Sequence, residues 1–135
     1  MRKVLAGVAV LVGILMVATA AHFALIEIGR EVVTVRTFDA SGTPRETRLW
    51  VVDEDGAAWL HSTGPGWAAR FVGDPVVELG RGGRVQRYRA HAVPGPHPVI
   101  DALLREKYGI ADRWVRLIAP DTSETLVVRL DPIRD

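Results

Sequence analysis

An uninterrupted apolar run near the N-terminus constrains this chain more than any other feature. From Val4 to Ile26 the only polar residues are Thr19 and His22, and no charged residue interrupts the run. At about 1.5 Å per residue, a helix of this length crosses a hydrocarbon layer about 30 Å thick. Backbone groups in lipid must bond one another, so the run is predicted to be helical. Residues 1–29 are therefore interpreted as a membrane anchor, and residues 30–135 as one domain.

A cleaved signal peptide is the alternative interpretation of the same segment. Arg2 and Lys3 form a basic start, and residues 18–20 (Ala-Thr-Ala) match a cleavage site. The apolar run continues past that site to Ile26, however, and exceeds the roughly 7–15 residues usual for a signal peptide. A retained, single-pass anchor is favoured, and secretion after cleavage near Ala20 stays open. The number of lysines and arginines near the two ends slightly favours a cytoplasmic side for the domain, whereas the closeness of Arg2 and Lys3 to the run favours the opposite side, so the side stays open.

Composition excludes several functional classes. The net charge of +1 does not favour nucleic acid as a partner. The chain has no cysteine, which excludes disulfides, thiolate nucleophiles and cysteine-ligated metals. The spacing of His61, His91 and His97 matches no metal motif, and no serine lies in a nucleophile elbow. The sequence therefore predicts neither catalytic side chains nor metal ligands.

The pattern of the domain is that of a β protein. Runs rich in β-branched or alternating residues, separated by turn residues, predict strands at 31–38, 45–52, 57–61, 76–79, 84–93 and 125–130. Helices are predicted at 67–72, from Pro98 and from Asp112. Tight turns such as Asp55-Gly56 join consecutive strands, so the sheet is predicted to be antiparallel. About six such strands close most easily into a small barrel with two or three short helices.

A glycine-rich loop at 61–67 (His-Ser-Thr-Gly-Pro-Gly-Trp) is the most informative polar segment. Its glycines let backbone N–H groups approach an anion, and the hydroxyls of Ser62 and Thr63 add donors. A helix beginning near Trp67 would turn its positive end to the same anion. These features are those of a phosphate site. The alternative, which composition alone favours, is an ordinary loop with Trp67 in the core, because the pattern is not that of a P-loop.

Arginines supply further candidate anion contacts. Arg48 and Trp50 share one face of a predicted strand, where Arg48 either binds a phosphate or carboxylate or is balanced by Glu46 on a solvated face. A second arginine group either holds an anionic cofactor tail, touches anionic headgroups or forms a solvated face. This group consists of Arg81, Arg84, Arg87 and Arg89. Near the glycine-rich loop the candidate is Arg70.

Two sequence blocks within residues 43–93 resemble the flavin-type split β-barrel family. They read TPRETRLWVVDEDGAAWLHSTGPGW and ARFVGDPVVELGRGGRVQRYRAHAV. The family includes proteins similar to pyridoxamine-phosphate oxidase and the deazaflavin-dependent nitroreductase and quinone reductase branch. The resemblance implies a small antiparallel split β-barrel, and it covers roughly half of the chain.

The resemblance also implies a function. The cofactor would be FMN or the deazaflavin coenzyme F-420, and the reaction a hydride transfer to a quinone or nitro-type acceptor. Split barrels of this kind commonly form homodimers. An alternative is a non-catalytic, membrane-tethered module that binds a flavin, haem or a protein partner. By resemblance, the cofactor-binding residues are Arg48, Trp50, Ser62, Thr63, Gly64, Trp67 and Arg70.

Overall fold

The computed structural model of the protein describes residues 2–39, 41–62, 66, 75–123 and 125–134. The chain divides into two units, Met1–Arg30 and Glu31–Asp135. The first unit consists mainly of one helix, and the described residues of the second form six strands and two helices of more than one turn.

Helix α1 (Arg2–Glu27) makes up most of the first unit. Its segment Lys3–Glu27 has 25 residues, and a stretch of 18 residues within it has a mean hydropathy of 2.6 and is not buried inside the protein. At about 1.5 Å per residue it is longer than the roughly 30 Å of a bilayer's hydrocarbon core. The hydroxyl of Thr19 donates to the carbonyl of Leu15 at 2.8 Å, which satisfies this polar group within the helix. Helix α1 is therefore long and apolar enough to cross a membrane.

Six antiparallel strands in the second unit form a closed barrel, as the sequence predicts. The strands are β1 (Val32–Phe38), β2 (Pro44–Glu54), β3 (Ala57–Ser62), β4 (Val76–Arg81), β5 (Arg84–Pro94) and β6 (Leu126–Pro132). Around the barrel the order is β1-β2-β3-β6-β5-β4, and β4 pairs with β1 to close the ring. Three pairs of residues make this closure, with Thr34 opposite Gly80 at one end.

Alternation along the strands directs every second side chain into the barrel. On β1, Val33 and Val35 are fully buried, whereas Thr34 and Arg36 lie on the outer face. Each fully buried valine or leucine contributes roughly 1.5–3 kcal/mol. The interior is formed by Val33, Val35, Val51, Ala58, Leu60, Val77, Leu79, Ala90, Val128 and Leu130.

Two helices of the second unit are α2 (Pro98–Tyr108) and α3 (Ile110–Ile118). Helix α2 begins at Pro98, as predicted. Helix α3 begins at Ile110 rather than at the predicted Asp112, directly after Gly109. Gly109 has a φ of 54°, in the left-handed region that favours glycine, and it separates the two helices. The helix predicted at 67–72 lies outside the described residues.

A second apolar cluster holds α2 against the outside of the barrel. Ile100, Leu104 and Tyr108 of α2 pack with Val52 of β2 and Val127 of β6. The Tyr108 hydroxyl accepts a hydrogen bond from the backbone N–H of Val51 at 3.0 Å. Polar and apolar contacts together therefore fix the end of α2 on β2.

Leu60→Ala should lower the free energy of unfolding by about 2–5 kcal/mol, because it leaves a cavity at a fully buried position of the barrel. Denaturant unfolding of the full chain in detergent micelles, followed by tryptophan fluorescence, measures the change. Val85→Ala is the matched control, since Val85 is 67% exposed and its truncation should change stability by less than about 0.5 kcal/mol. Equal losses in both variants would contradict the assignment of Leu60 to the core.

Candidate functional site

A groove runs over the outer face of β1 and β4. Because alternate residues of these strands point inward, the remaining ones and the β4–β5 turn form an exposed surface. The groove has a volume of about 430 Å³, within the range typical of small-molecule sites. We call it the outer groove; its lining includes Val32, Thr34, Arg36, Glu78, Gly80, Arg84 and Val85.

One row of residues across the strands shapes the floor of the outer groove. Thr34 pairs with Arg48 of β2 on one side and with Gly80 of β4 on the other. Gly80 in turn pairs with Val85 of β5. A Cβ atom at Gly80 would lie 3.6 Å from the Thr34 carbonyl oxygen, so the missing side chain leaves the backbone uncovered without a steric need for glycine. The row therefore has the cation of Arg48 at one end and the exposed side chain of Val85 at the other. The uncovered backbone of Gly80 lies between them.

Arg36, which lies two residues after Thr34 on the same face of β1, forms ion pairs with carboxylates on the two neighbouring strands. Its guanidinium contacts Glu46 at 2.7 Å and Glu78 at 3.1 Å. The hydrogen bond to Glu46 is the largest cause of the raised pKa of Arg36, and Glu78 adds to it. Exposed pairs of this kind contribute little to stability, but they hold the side chains in one arrangement. Arg36 is thereby engaged by carboxylates, while Arg84 lies exposed at the groove rim.

An ion cluster formed by Glu31, Asp53, Arg81 and Lys107 joins the start of β1 to β2, β4 and α2. Arg81 contacts Glu31 at 2.6 Å and Asp53 at 2.7 Å, and Lys107 contacts Glu31 at 2.5 Å. The Arg81 hydrogen bond is the main reason that the pKa of Glu31 falls from its ordinary 4.5 to about 2; burial opposes the shift and Lys107 adds to it. Arg81 also lowers the pKa of Asp53. Of the four arginines that the sequence suggested as an anion-binding group, Arg81 is thus paired with carboxylates of the protein itself.

Trp50 and Arg48 lie on the outer face of β2, and Trp50 is covered on one side by α2. Its ring stacks on that of Tyr108, with 4.4 Å between centroids and 7° between planes. The Tyr108 hydroxyl also donates to the backbone carbonyl of Glu31 at 2.8 Å. Burial is the largest cause that raises the pKa of Tyr108 to about 12. Trp50 is therefore a packing residue of the barrel surface as well as a predicted cofactor contact.

Ser62 is the last residue of β3, and its backbone pairs with Leu126 of β6. The β2–β3 ladder ends at Val51 and Leu60, so the chain continues to Ser62 at the same end of the barrel where β2 carries Arg48. The other predicted members of the phosphate loop lie outside the described residues. They are Thr63, Gly64, Trp67 and Arg70. The phosphate loop therefore stays a prediction.

A polar group that the sequence did not indicate lies at the end of β3. His61, Asp101 and Asp121 offer one donor atom each, and these atoms lie within 4.8 Å of one another. The residues come from β3, from α2 and from the segment after α3, so their separation in sequence exceeds that of any local metal motif. Only the tertiary fold brings them together.

Comparison with known proteins identifies the fold. The sequence matches no protein-family profile and no curated protein. Solved structures do match. The haem storage protein HutZ from Vibrio cholerae has a TM-score of 0.55 and 15% identity, over 79% of this chain and 84% of that one.

Two further structures give the same result. A conserved hypothetical protein from Mycobacterium tuberculosis has a TM-score of 0.58 and 20% identity, over 84% of this chain and 80% of its own. An F-420-H2-dependent reductase, FDR-A, has a TM-score of 0.54 and 21% identity, over 73% of this chain and 92% of its own. At these identities the likeness establishes the fold, which is the split β-barrel that the sequence resemblance implied.

Glu31→Gln should lower stability at neutral pH and should have less effect in acid. The depressed pKa means that the Glu31 carboxylate contributes stability above about 4.5 and loses it as the pH falls toward about 2. Solvent screens this side chain, which is 35% exposed, so we expect a loss of about 1–2 kcal/mol at pH 7. Unfolding curves of both proteins between pH 7 and pH 2 measure it.

Glu106→Gln is the control for this prediction, because Glu106 is an exposed glutamate on the same helix as Lys107. Its unfolding curve should follow that of the unsubstituted protein at every pH. A constant difference between Glu31→Gln and the unsubstituted protein from pH 7 to pH 2 would contradict the assigned role of the carboxylate.

Proposed function

We propose that this chain is a membrane-anchored oxidoreductase that binds a flavin or deazaflavin at the outer groove. The observation that carries the proposal is the floor of that groove, where uncovered backbone at Gly80 lies between Thr34 and Val85, and where Arg48 is the next residue across the strands beyond Thr34. A flat ring needs an open, partly apolar surface, and a phosphorylated tail needs cations and hydroxyls beside it. The outer groove supplies the first; for the second we propose Arg48 and the glycine-rich loop that begins at Ser62.

The residues present fit such a cofactor. Val32 and Val85 offer apolar surface to a ring, and the Thr34 hydroxyl offers a hydrogen-bonding group. Arg48 would bind the phosphate end as a bidentate donor. Ser62, Thr63, Gly64 and Arg70 are its proposed partners in the glycine-rich loop, with Trp67 beside the ring. Trp50 would contribute the ring edge that Tyr108 leaves uncovered.

In this proposal the protein binds and orients, and the bound cofactor supplies the hydride chemistry. The apolar side chains of the outer groove exclude water from one side of the ring. The charge of Arg48 would hold the anionic tail in place. This division of labour is consistent with the sequence, which predicts no general acid or base.

A lipid-soluble quinone or a nitro compound is the proposed acceptor. Support comes from the apolar helix α1, which would hold the barrel at the membrane where quinones dissolve, and from the fold shared with F-420-H2-dependent reductase FDR-A. A homodimer is proposed as well, because the outer groove is open on its solvent side and a second copy would cover it. One structural neighbour is described as a domain-swapped dimer.

The alternative is a non-catalytic, membrane-tethered binding module. The likeness to HutZ, a haem storage protein, supports this candidate because it is a protein of the same fold that stores a cofactor. A module of this kind would bind flavin, haem or a protein partner without transferring electrons to a small acceptor.

The absorbance spectrum of the purified full chain in detergent, followed by titration with FMN, F-420 and haem, separates these functions. We expect saturable binding of a flavin or deazaflavin and its oxidation, once reduced, by a soluble quinone analogue. Binding of haem alone would favour the storage module. Binding of none of the three would contradict the proposed function.

Variants of the full chain assign the site. Arg48→Ala and Ser62→Ala should each weaken cofactor affinity about tenfold, since each removes a contact worth about 1.4 kcal/mol. Gly80→Val should weaken it at least as much by filling the floor of the outer groove. The control is Ala92→Val, an equivalent change at an exposed position of β5. Affinities that match the unsubstituted protein in all three site variants would place the cofactor elsewhere.

The anchor is tested separately. Membranes from cells expressing the full chain should retain it after alkaline carbonate washing, and the mass of the purified protein should include residues 1–29, because helix α1 is long enough to span the bilayer. Leu11→Arg together with Leu15→Arg should release the protein, since each charge at the centre of a span costs about 2.5–3.5 kcal/mol. A mature chain that starts near His22 would instead identify a cleaved signal peptide.

A further inference from the structure

A compact set of metal-binding atoms lies at the end of β3, apart from the outer groove. The Nε2 atom of His61 is 3.1 Å from Oδ1 of Asp121, and a carboxylate oxygen of Asp101 lies within 4.8 Å of both donors. In tetrahedral zinc sites the ligand atoms are about 2.0–2.2 Å from the metal, so neighbouring ligand atoms are about 3.3–3.5 Å apart. The 3.1 Å between Nε2 of His61 and Oδ1 of Asp121 is close to this ligand-to-ligand distance.

The charge of this region favours a cation. Three carboxylates, of Asp101, Asp112 and Asp121, surround one guanidinium, that of Arg116. With His61 neutral, three negative charges and one positive charge leave a formal excess of two negative charges. A divalent cation would balance that excess.

Arg116 orients the carboxylates without using all their oxygens. It donates to Oδ1 of Asp101 at 2.9 Å and to Oδ2 of Asp121 at 2.7 Å. The oxygen of Asp121 that faces His61 is the other one, Oδ1. Ligating carboxylates in metal sites are commonly held in place by hydrogen bonds of this type. Arg116 therefore acts here as a positioning residue.

A cavity of about 460 Å³ gives access to these atoms, and a second histidine lines it. Its walls include His61, His97, Asp101 and Asp121. The Nε2 atom of His97 is buried and has no hydrogen-bond partner among the described residues. This nitrogen is closed off from solvent, and His97 lies outside the group of three donor residues, so it is not counted as a metal ligand.

We propose that His61, Asp101 and Asp121 bind a divalent transition-metal ion, for which Zn²⁺ is the probe. Imidazole together with carboxylate favours a borderline ion of the zinc type over Mg²⁺ or Ca²⁺, which prefer sites made only of oxygen. The inference does not depend on the proposed function, since it uses none of the residues of the outer groove.

Titration calorimetry of the full chain without a polyhistidine tag, in detergent and after treatment with a chelator, tests the proposal. We expect one Zn²⁺ per chain with a dissociation constant in the micromolar range or below. Cobalt(II) added to the same apoprotein should give visible absorption bands of a low-coordinate site. No cofactor or electron acceptor is present, so the result is independent of any oxidoreductase activity.

His61→Gln and Asp121→Asn should each weaken Zn²⁺ binding at least tenfold and remove the cobalt bands. Asp121→Asn is the milder change, because its amide oxygen can still accept a hydrogen bond from Arg116. His91→Gln is the matched control, since His91 also lies near an aspartate, with its Nε2 3.7 Å from Asp131, but outside the group. Circular dichroism confirms that each variant is folded.

The proposal is overturned if the unsubstituted chain shows no saturable Zn²⁺ binding. It is equally overturned if a folded Asp121→Asn variant binds as tightly as the unsubstituted chain. Weakening by His91→Gln equal to that by His61→Gln would show binding to scattered histidines and would also reject the site.

Discussion

The pairing of β4 with β1 is the constraint on which the domain depends. Three residue pairs close six strands into a ring, and this closure fixes which side chains face in and which face out. Inward positions are then mostly apolar: on β1 and β4 they are Val33, Val35, Val77 and Leu79, and the one threonine among them, Thr37, donates its hydroxyl to the backbone carbonyl of Arg45. The same pairing places Gly80 beside Thr34, so the outer groove is a direct product of barrel closure. The outer groove and the core are therefore formed by the outward and inward faces of the same strands.

The ion cluster of Glu31, Asp53, Arg81 and Lys107 supports that register from outside. Arg81 is the last residue of β4, and its carboxylate partners lie just before β1 and near the end of β2. Lys107 adds a hydrogen bond to the backbone carbonyl of Val51 at 2.6 Å. Since Tyr108 contacts the same stretch of β2 and the backbone of Glu31, helix α2 is held at one corner by charge, hydrogen bonds and apolar packing together.

Local sequence patterns predicted the elements of this fold well, because alternation and turn chemistry are local properties. The Asp55-Gly56 turn has φ values of 51° and 72°, as a tight hairpin requires, and the helix after Pro98 carries its apolar residues at helical spacing. The groove row of Arg48, Thr34 and Gly80 could not be predicted in this way. It depends on strand register between segments distant in sequence, and no local pattern specifies that register.

The same limit applies to the side-chain clusters. Arg81 belongs to a run of arginines that suggested an anion clamp, yet its partners Glu31 and Asp53 lie 50 and 28 residues away in the sequence. No local pattern indicates that His61 lies beside Asp121. A histidine followed much later by an isolated aspartate is a pattern found by chance in most chains. Such groups become recognisable only when the fold is known.

A closed ring of strands also decides how this domain can meet other proteins. Each of the six strands has a hydrogen-bonded neighbour on both sides over part of its length, so its paired stretches offer no free row of amide and carbonyl groups for strand addition. Association through β-augmentation at those stretches would require the ring to open first. There, partners and further copies must instead recognise side chains on the faces of the barrel, and specificity then resides in surface chemistry that a few substitutions can alter.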